Sequence, residues 1–266
     1  MATLSPFVQE RMLMPRIDLN SDLGESFGRY TLGRDEDIIP LVSSCNIACG
    51  MHAGDPLVMH RTVKNARAAG IAIGAHPGYP DLQGFGRRNM GLSPEDVYSY
   101  ILYQLGALDA FCRSANTCIE HVKPHGQLYN TAAKDHELAA AIAQAVHDYN
   151  PHLVLVGLAN SVLIEEGKAL GLRCAQEFFA DRNYADDGTL VPRSLPNACI
   201  HDEQYAIERI VHLIQDGAIT SASGKLIDIE ADTICVHGDN DHALQFVMRI
   251  RNTLEREHID IISLAR

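Results

Sequence analysis

Short apolar runs alternate with longer amphipathic stretches along the chain. That rhythm predicts strands laid side by side with helices packed outside them, as in βα units around a mainly parallel sheet. Seven strands are expected, at 16–19, 43–47, 71–74, 118–122, 153–158, 173–178 and 233–236. Helical periodicity fills 55–69 up to Gly70, 93–115, 135–149, 160–170 up to Gly171, and 201–216. The run Ser93-Pro94-Glu95-Asp96 is a strong helix start, with a capping hydroxyl, proline at the first position and acids in the first turn. Residues 180–197, rich in Asp, Asn, Gly and Pro, predict a long loop.

A chain of 266 residues suits one α/β barrel, which needs roughly 250 residues. With no repeat or linker, the expectation is an irregular extension over 1–15 and one catalytic (β/α) domain over 16–266. A net charge of -12 with dispersed Lys and Arg excludes the electrostatic footprint of nucleic-acid binding. No run reaches the roughly 18 apolar residues of a membrane span, and Pro6, Glu10, Arg11 and Pro15 stand where a signal peptide would need apolar residues. A cytoplasmic protein with no membrane partner is expected. Seven scattered cysteines read as buried thiols rather than a disulfide framework.

Chemistry gathers where strands end, the place that carries ligands in parallel α/β folds. The first strand leads into Asp18, Asn20, Asp22 and Glu25, the second into Asn46, Cys49 and His52, and the third into His76 and Asp81. Lys123, His125 and Tyr129 follow the fourth, Glu177, Asp181 and Arg182 the sixth, and His237, Asp239 and His242 the seventh. The fifth ends in Ala159, Asn160 and Ser161, which carry no comparable chemistry. Any one of these residues is explained by helix capping or a satisfied histidine. Six convergent strand ends are not, because buried charges cost several kcal/mol unless paired or used.

Asp22, Glu25, His52, Lys123, His125, Asp181 and His237 are therefore the catalytic candidates. The substrate-binding candidates are Asn20, Asn46, His76, Tyr129, Arg182 and Asp239. Asp22, His76 and His125 are also the ligand types a divalent ion such as Zn²⁺ or Mn²⁺ takes with water in its open positions. Without a metal the same groups serve as general acids and bases, and Lys123 as an oxyanion or carboxylate partner. Hydrolysis or acyl chemistry is the natural class. A P-loop is absent, since Gly217 and Gly224-Lys225 are separated by six residues and followed by Leu226.

The blocks IDLNSDLGESFG, SSCNIACGMHAGD, GAHPGYPD with GFGRR, EHVKPHGQLYN, EFFADRNYADDGTLVPRS and VHGDN resemble the LamB/YcsF family from Ile17 onward. The resemblance implies a (β/α)7 barrel of the glycoside hydrolase/deacetylase-type superfamily. It also implies ATP-coupled opening of the 5-oxoproline (pyroglutamate) lactam to glutamate, with ATP shared between this chain and partner subunits B and C. On that reading Lys123 and Arg182 hold a carboxylate or phosphate, Asp22 and Glu25 move protons or bind metal, and His52, His125 and His237 polarise or protonate. Residues 1–15 depart from the family pattern, in which the IDLN block lies near the start, so translation is expected to begin at Met12 or Met14. Two other readings stand beside it: a stand-alone metal-dependent amidase or deacetylase on a small amide or acetylated sugar, and a non-catalytic lactam-binding subunit.

Overall fold

On the first strand, Ile17, Leu19 and Leu23 alternate with Asp18, Asn20 and Asp22. A strand tolerates that pattern when both of its faces are covered, one by helices and one by a polar interior. The computed structural model accordingly extends β1 over Arg16–Leu23, four residues beyond the expected end. Residues 15–192, 194–236 and 241–264 are described, with only the backbone at 241–242; residues 1–14 of the expected extension 1–15 and the candidates His237 and Asp239 lie outside them.

The other strands are β2 (Ser44–Ala48), β3 (Ala72–His76), β4 (His121–Val122), β5 (Val154–Leu158), β6 (Arg173–Phe179), β7 (Ala218–Thr220), β8 (Leu226–Asp228), β9 (Thr233–Cys235) and β10 (Asp260–Ile261). Strands β1 to β6 and β9 pair in parallel in that order, and β9 pairs back onto β1, with Asn20 opposite Cys235. The sheet is thus the expected seven-stranded parallel barrel, with no free edge at the seam. β10 lies parallel to the start of β1 outside the ring, while β7 and β8 form an antiparallel hairpin.

Helices Pro56–Ala69, Pro94–Ser114, His136–Tyr149, Val162–Ala169 and Glu203–Asp216 follow the expected periods. Ser93 and Asp96 form a reciprocal capping box, and Asp55 and Asp135 each accept two backbone N–H groups at their helix starts. A helix at Asp241–Arg256 and a short one at Gly126–Ala132 occupy stretches where none was expected. The loop after β6 is stapled by the bridges Arg182 to Cys199 and Tyr184 to Leu190. The near-P-loop segment is the turn of the β7–β8 hairpin, where Ser221 N–H donates to Lys225.

Apolar side chains such as Leu19, Ile47, Ile73, Leu155, Phe178 and Ile234 are fully buried in the main hydrophobic core. The barrel interior is instead polar: Asp18, Asn20, Ser44, Asn46, His121, Lys123, Glu177 and Thr233 are all buried and bond to one another across it. Cys45, Cys49, Cys112 and Cys235 are buried free thiols, whereas Cys118 is exposed, a departure from the uniform expectation. No helix among the described residues is long and apolar enough to cross a membrane.

Candidate active site

Three polar tiers climb the barrel interior. At the bottom, Asp18 accepts hydrogen bonds from Ser43 (2.7 Å), Ser44 (2.8 Å) and Thr233 (2.5 Å). Burial nevertheless pushes its carboxyl pKa up to about 6, because those bonds offset only part of the desolvation. In the middle, the Asn20 amide donates to Glu177 (3.1 Å) and Thr233 (2.6 Å), and the Asn46 amide donates to Asn20 Oδ1 (2.7 Å). Asn46 also donates to Asp22 (2.8 Å), and its Oδ1 accepts from His121 Nε2 (2.8 Å). Burial lowers the His121 pKa to about 3, so this ring is neutral at ordinary pH.

The top tier is an ion triad. Lys123 Nζ, 2% exposed, lies 2.9 Å from Asp22 Oδ1 and 2.7 Å from Glu177 Oε1. Burial opposes its charge, but the carboxylates of Asp22 and Glu177 more than offset it and hold its pKa well above the usual value. Tyr129 faces the same group; burial first, then the charge on Glu177, raises its hydroxyl pKa.

Three imidazoles crown the triad. His76 ends β3, His52 comes from the loop after β2, and His125 precedes helix Gly126–Ala132. Gly126 makes the turn after His125 possible: its φ is +56°, and a Cβ there would meet Gly86 O at 2.7 Å. Backbone carbonyls fix two tautomers. His76 Nδ1–H donates to Lys123 O (2.8 Å), and His125 Nε2–H donates to Phe85 O (2.8 Å). In their neutral forms His76 then presents a bare Nε2 and His125 a bare Nδ1, and these two atoms are 3.0 Å apart. Two facing lone pairs repel at that separation unless a proton or a cation lies between them.

Carboxylates surround the same point. Asp22 Oδ2 is 3.3 Å from His76 Nε2, and Glu25 Oε1 is 3.6 Å from His125 Nδ1 and 3.5 Å from His52 Nε2. His52 stacks on His125 with ring centroids 3.6 Å apart, and neither of its buried ring nitrogens makes a hydrogen bond among the described residues. Burial, reinforced by the neighbouring imidazoles, lowers the pKa of both His52 and His125 well below the usual value. Glu25, His52, His76 and His125 offer ligand atoms all within 4.8 Å of one another, a cluster able to hold a metal ion.

Above the cluster opens a cavity of about 760 Å³, lined among others by Asp22, His76, Arg87, Lys123, His125, Tyr129, Lys134 and Arg182. Of the sequence-based candidates, Asp22, His76, Lys123, His125, Tyr129 and Arg182 face this space, and Glu25 and His52 stand behind it. Asn20 and Asn46 are sealed beneath Lys123 and orient the triad from below. Arg182 donates to Ala198 O (3.2 Å) and Val191 O (2.6 Å), so its guanidinium also ties the start of the long loop to its far side. Asp181 begins that loop, its carbonyl accepting Ile200 N–H. The sequence pattern singles out neither His121 nor Arg87 and gives Glu177 no role. Glu177 hides in the apolar run before Phe178 and Phe179, yet a carboxylate at an inward strand position is itself a signal.

A closed parallel barrel carrying a histidine–carboxylate cluster and a buried lysine at its strand ends defines a (β/α) barrel protein with a polar centre. The chain belongs to the LamB/YcsF family, whose model matches residues 17–266. It is 55% identical to the A subunit of 5-oxoprolinase from Staphylococcus haemolyticus (strain JCSC1435) over 94% of this chain and 100% of that one. It is 55% identical also to the A subunit of 5-oxoprolinase from Alkaliphilus metalliredigens (strain QYMF), over 94% and 98% of the two chains. The crystal structure of a lactam utilization protein from Thermus thermophilus superposes with a TM-score of 0.89 at 44% identity, covering 94% of this chain and 100% of that one.

Proposed function

We propose that this protein is the A subunit of an ATP-dependent 5-oxoprolinase, opening 5-oxo-L-proline to L-glutamate with partner subunits B and C. The observation that carries the reading is the likeness, over 94% of the chain, to proteins named as the A subunit of 5-oxoprolinase. The site chemistry agrees with it. A lactam amide is stabilised by resonance, and its hydrolysis near neutral pH is uphill unless coupled, which gives ATP its place. Phosphorylation of the lactam oxygen makes the ring carbonyl carbon electrophilic. Water adds there, the ring nitrogen leaves with a proton as the amine, and a second water releases phosphate from the acyl phosphate.

The residues divide this work by chemistry. Lys123, kept cationic by Asp22 and Glu177, stabilises negative charge on the lactam or phosphoryl oxygen. The bare nitrogens of His76 and His125, with Glu25 behind them, take a proton from water and return one to the departing nitrogen. The buried nitrogens of His52, which make no hydrogen bond among the described residues, and the facing nitrogens of His76 and His125 fit a divalent cation such as Zn²⁺ or Mn²⁺, held by these three rings and Glu25. A bound cation would polarise a carbonyl or lower the pKa of water. The same cluster favours a second reading, a metal-dependent amidase acting without ATP.

Glutamate release from 5-oxoproline by the purified chain, with and without ATP and subunits B and C, separates the two. Turnover only with ATP and partners is expected. ATP-independent amide hydrolysis by the lone chain, abolished by chelator, would replace the proposal with the second reading.

A further inference from the structure

Two arginines follow Gly86, and the fold uses them differently. Arg88 is committed: its guanidinium pairs with Asp81, whose carboxyl pKa it pulls down to about 2, and Asp81 also accepts Gly84 N–H (2.9 Å). That brace, together with Gly86 N–H to Asp81 O (2.9 Å) and Gln127 N–H to Gly86 O (2.9 Å), fixes the loop beside His125. Arg87 grows from the fixed loop into the cavity. Its stem passes close to Gly126, whose missing Cβ would stand 3.6 Å from Arg87 Cγ, and its guanidinium lies 5.1 Å from the Phe85 ring centroid. Its charge is felt at His52.

Of the other cations on the cavity wall, Lys123 and Arg182 have fixed partners. Lys123 is held by Asp22 and Glu177, Arg182 bonds two loop carbonyls, and exposed Lys134 stands within the field of Asp187. Arg87 makes no ion pair or side-chain hydrogen bond among the described residues. A planar fork on an aromatic shelf, beside the imidazoles and without an acid of its own, suits bidentate capture of a carboxylate. We propose that Arg87 binds the α-carboxylate of the substrate and so turns the amide edge of the ring toward His76, His125 and Lys123. The proposal rests on the lactam reading above and makes Arg87 the residue that selects 5-oxoproline over lactams lacking the carboxylate.

The test is equilibrium binding of 5-oxoproline and of its carboxamide to the purified full chain and to Arg87→Gln, Arg87→Lys and Lys134→Gln, with thermal melts as the folding control. Hydrogen bonds to charged groups imply a loss of about 10- to 100-fold in 5-oxoproline affinity for Arg87→Gln, and little change for the carboxamide. Arg87→Lys should fall between, and Lys134→Gln should keep the wild-type preference. Unchanged discrimination in Arg87→Gln, or its loss in Lys134→Gln instead, would overturn the assignment. A wild-type chain that binds neither compound would overturn the lactam reading and this inference with it.

Discussion

Lys123 sits 2% exposed between two carboxylates, and its removal strands both. Lys123→Met should cost roughly 3–5 kcal/mol in urea unfolding, because breaking a buried pair leaves uncompensated charge. Lower down, Asp18 and His121 act oppositely on the pH dependence of stability. The His121 pKa falls from 6.5 to about 3 on folding, so its contribution is lost as pH drops below 6.5. The Asp18 pKa rises from 3.8 to about 6, so the folded state takes up a proton first and gains stability as pH falls from 6 toward 4. The two slopes nearly cancel in that window. Asp18→Asn should therefore lose stability about 1.4 kcal/mol per pH unit faster than wild type between pH 6 and 4; parallel curves from chemical denaturation would refute the assignment. Residue types such as Asp22, His76, Lys123 and His125 were legible in the sequence because polar groups at strand ends stand out against apolar runs. His121 and Arg87 were not: a histidine inside a strand reads as a satisfied core residue, and an arginine in a glycine-rich loop reads as solvated.

Strand ends are the least legible feature of this sequence, for a physical reason. Asn20 and Asp22 look like the beginning of a loop, yet they continue the inward face of β1 within a polar interior. The fourth strand contracts to His121–Val122. At Asp241–Arg256, Leu244, Val247, Ile250 and Leu254 carry a helical spacing, but as a narrow stripe on a mostly polar surface. The two- and three-residue strands β7, β8 and β10 are too short for any period. Packing of β3 against β4 offers a sharp test: a Cβ on Gly74 would fall 2.0 Å from His121 Nε2. Gly74→Ala must displace the ring from Asn46 and should cost roughly 1–3 kcal/mol or more, read as a lowered melting temperature.

At the scale of the molecule, barrel closure through β9 and β1 gathers Asp22, Lys123, which stands 101 positions further along the chain, and Glu177 into one charged group. Seven strands and their order of alternation with helices were readable, whereas the tiers that closure creates were not, since no local pattern announces a contact across the ring. If the histidine cluster takes a metal, Zn²⁺ or Mn²⁺ at about a hundredfold excess over its dissociation constant stabilises the fold by about 2.7 kcal/mol, a rise of about 5 °C in melting temperature. That rise should vanish in His52→Ala, and an equal rise in the variant would remove Glu25, His52, His76 and His125 as the ligand set.

On the proposed reading this barrel performs the ring opening and does more than hold the lactam for its partners. The most direct measurement is glutamate release from 5-oxoproline, with ATP and subunits B and C, by chains carrying His125→Ala or His76→Ala whose folding is verified by circular dichroism. General acid–base groups contribute about 10²- to 10⁴-fold, so turnover should fall by at least about 100-fold in each. Turnover within a few-fold of wild type would contradict that role and leave the chain a binding subunit.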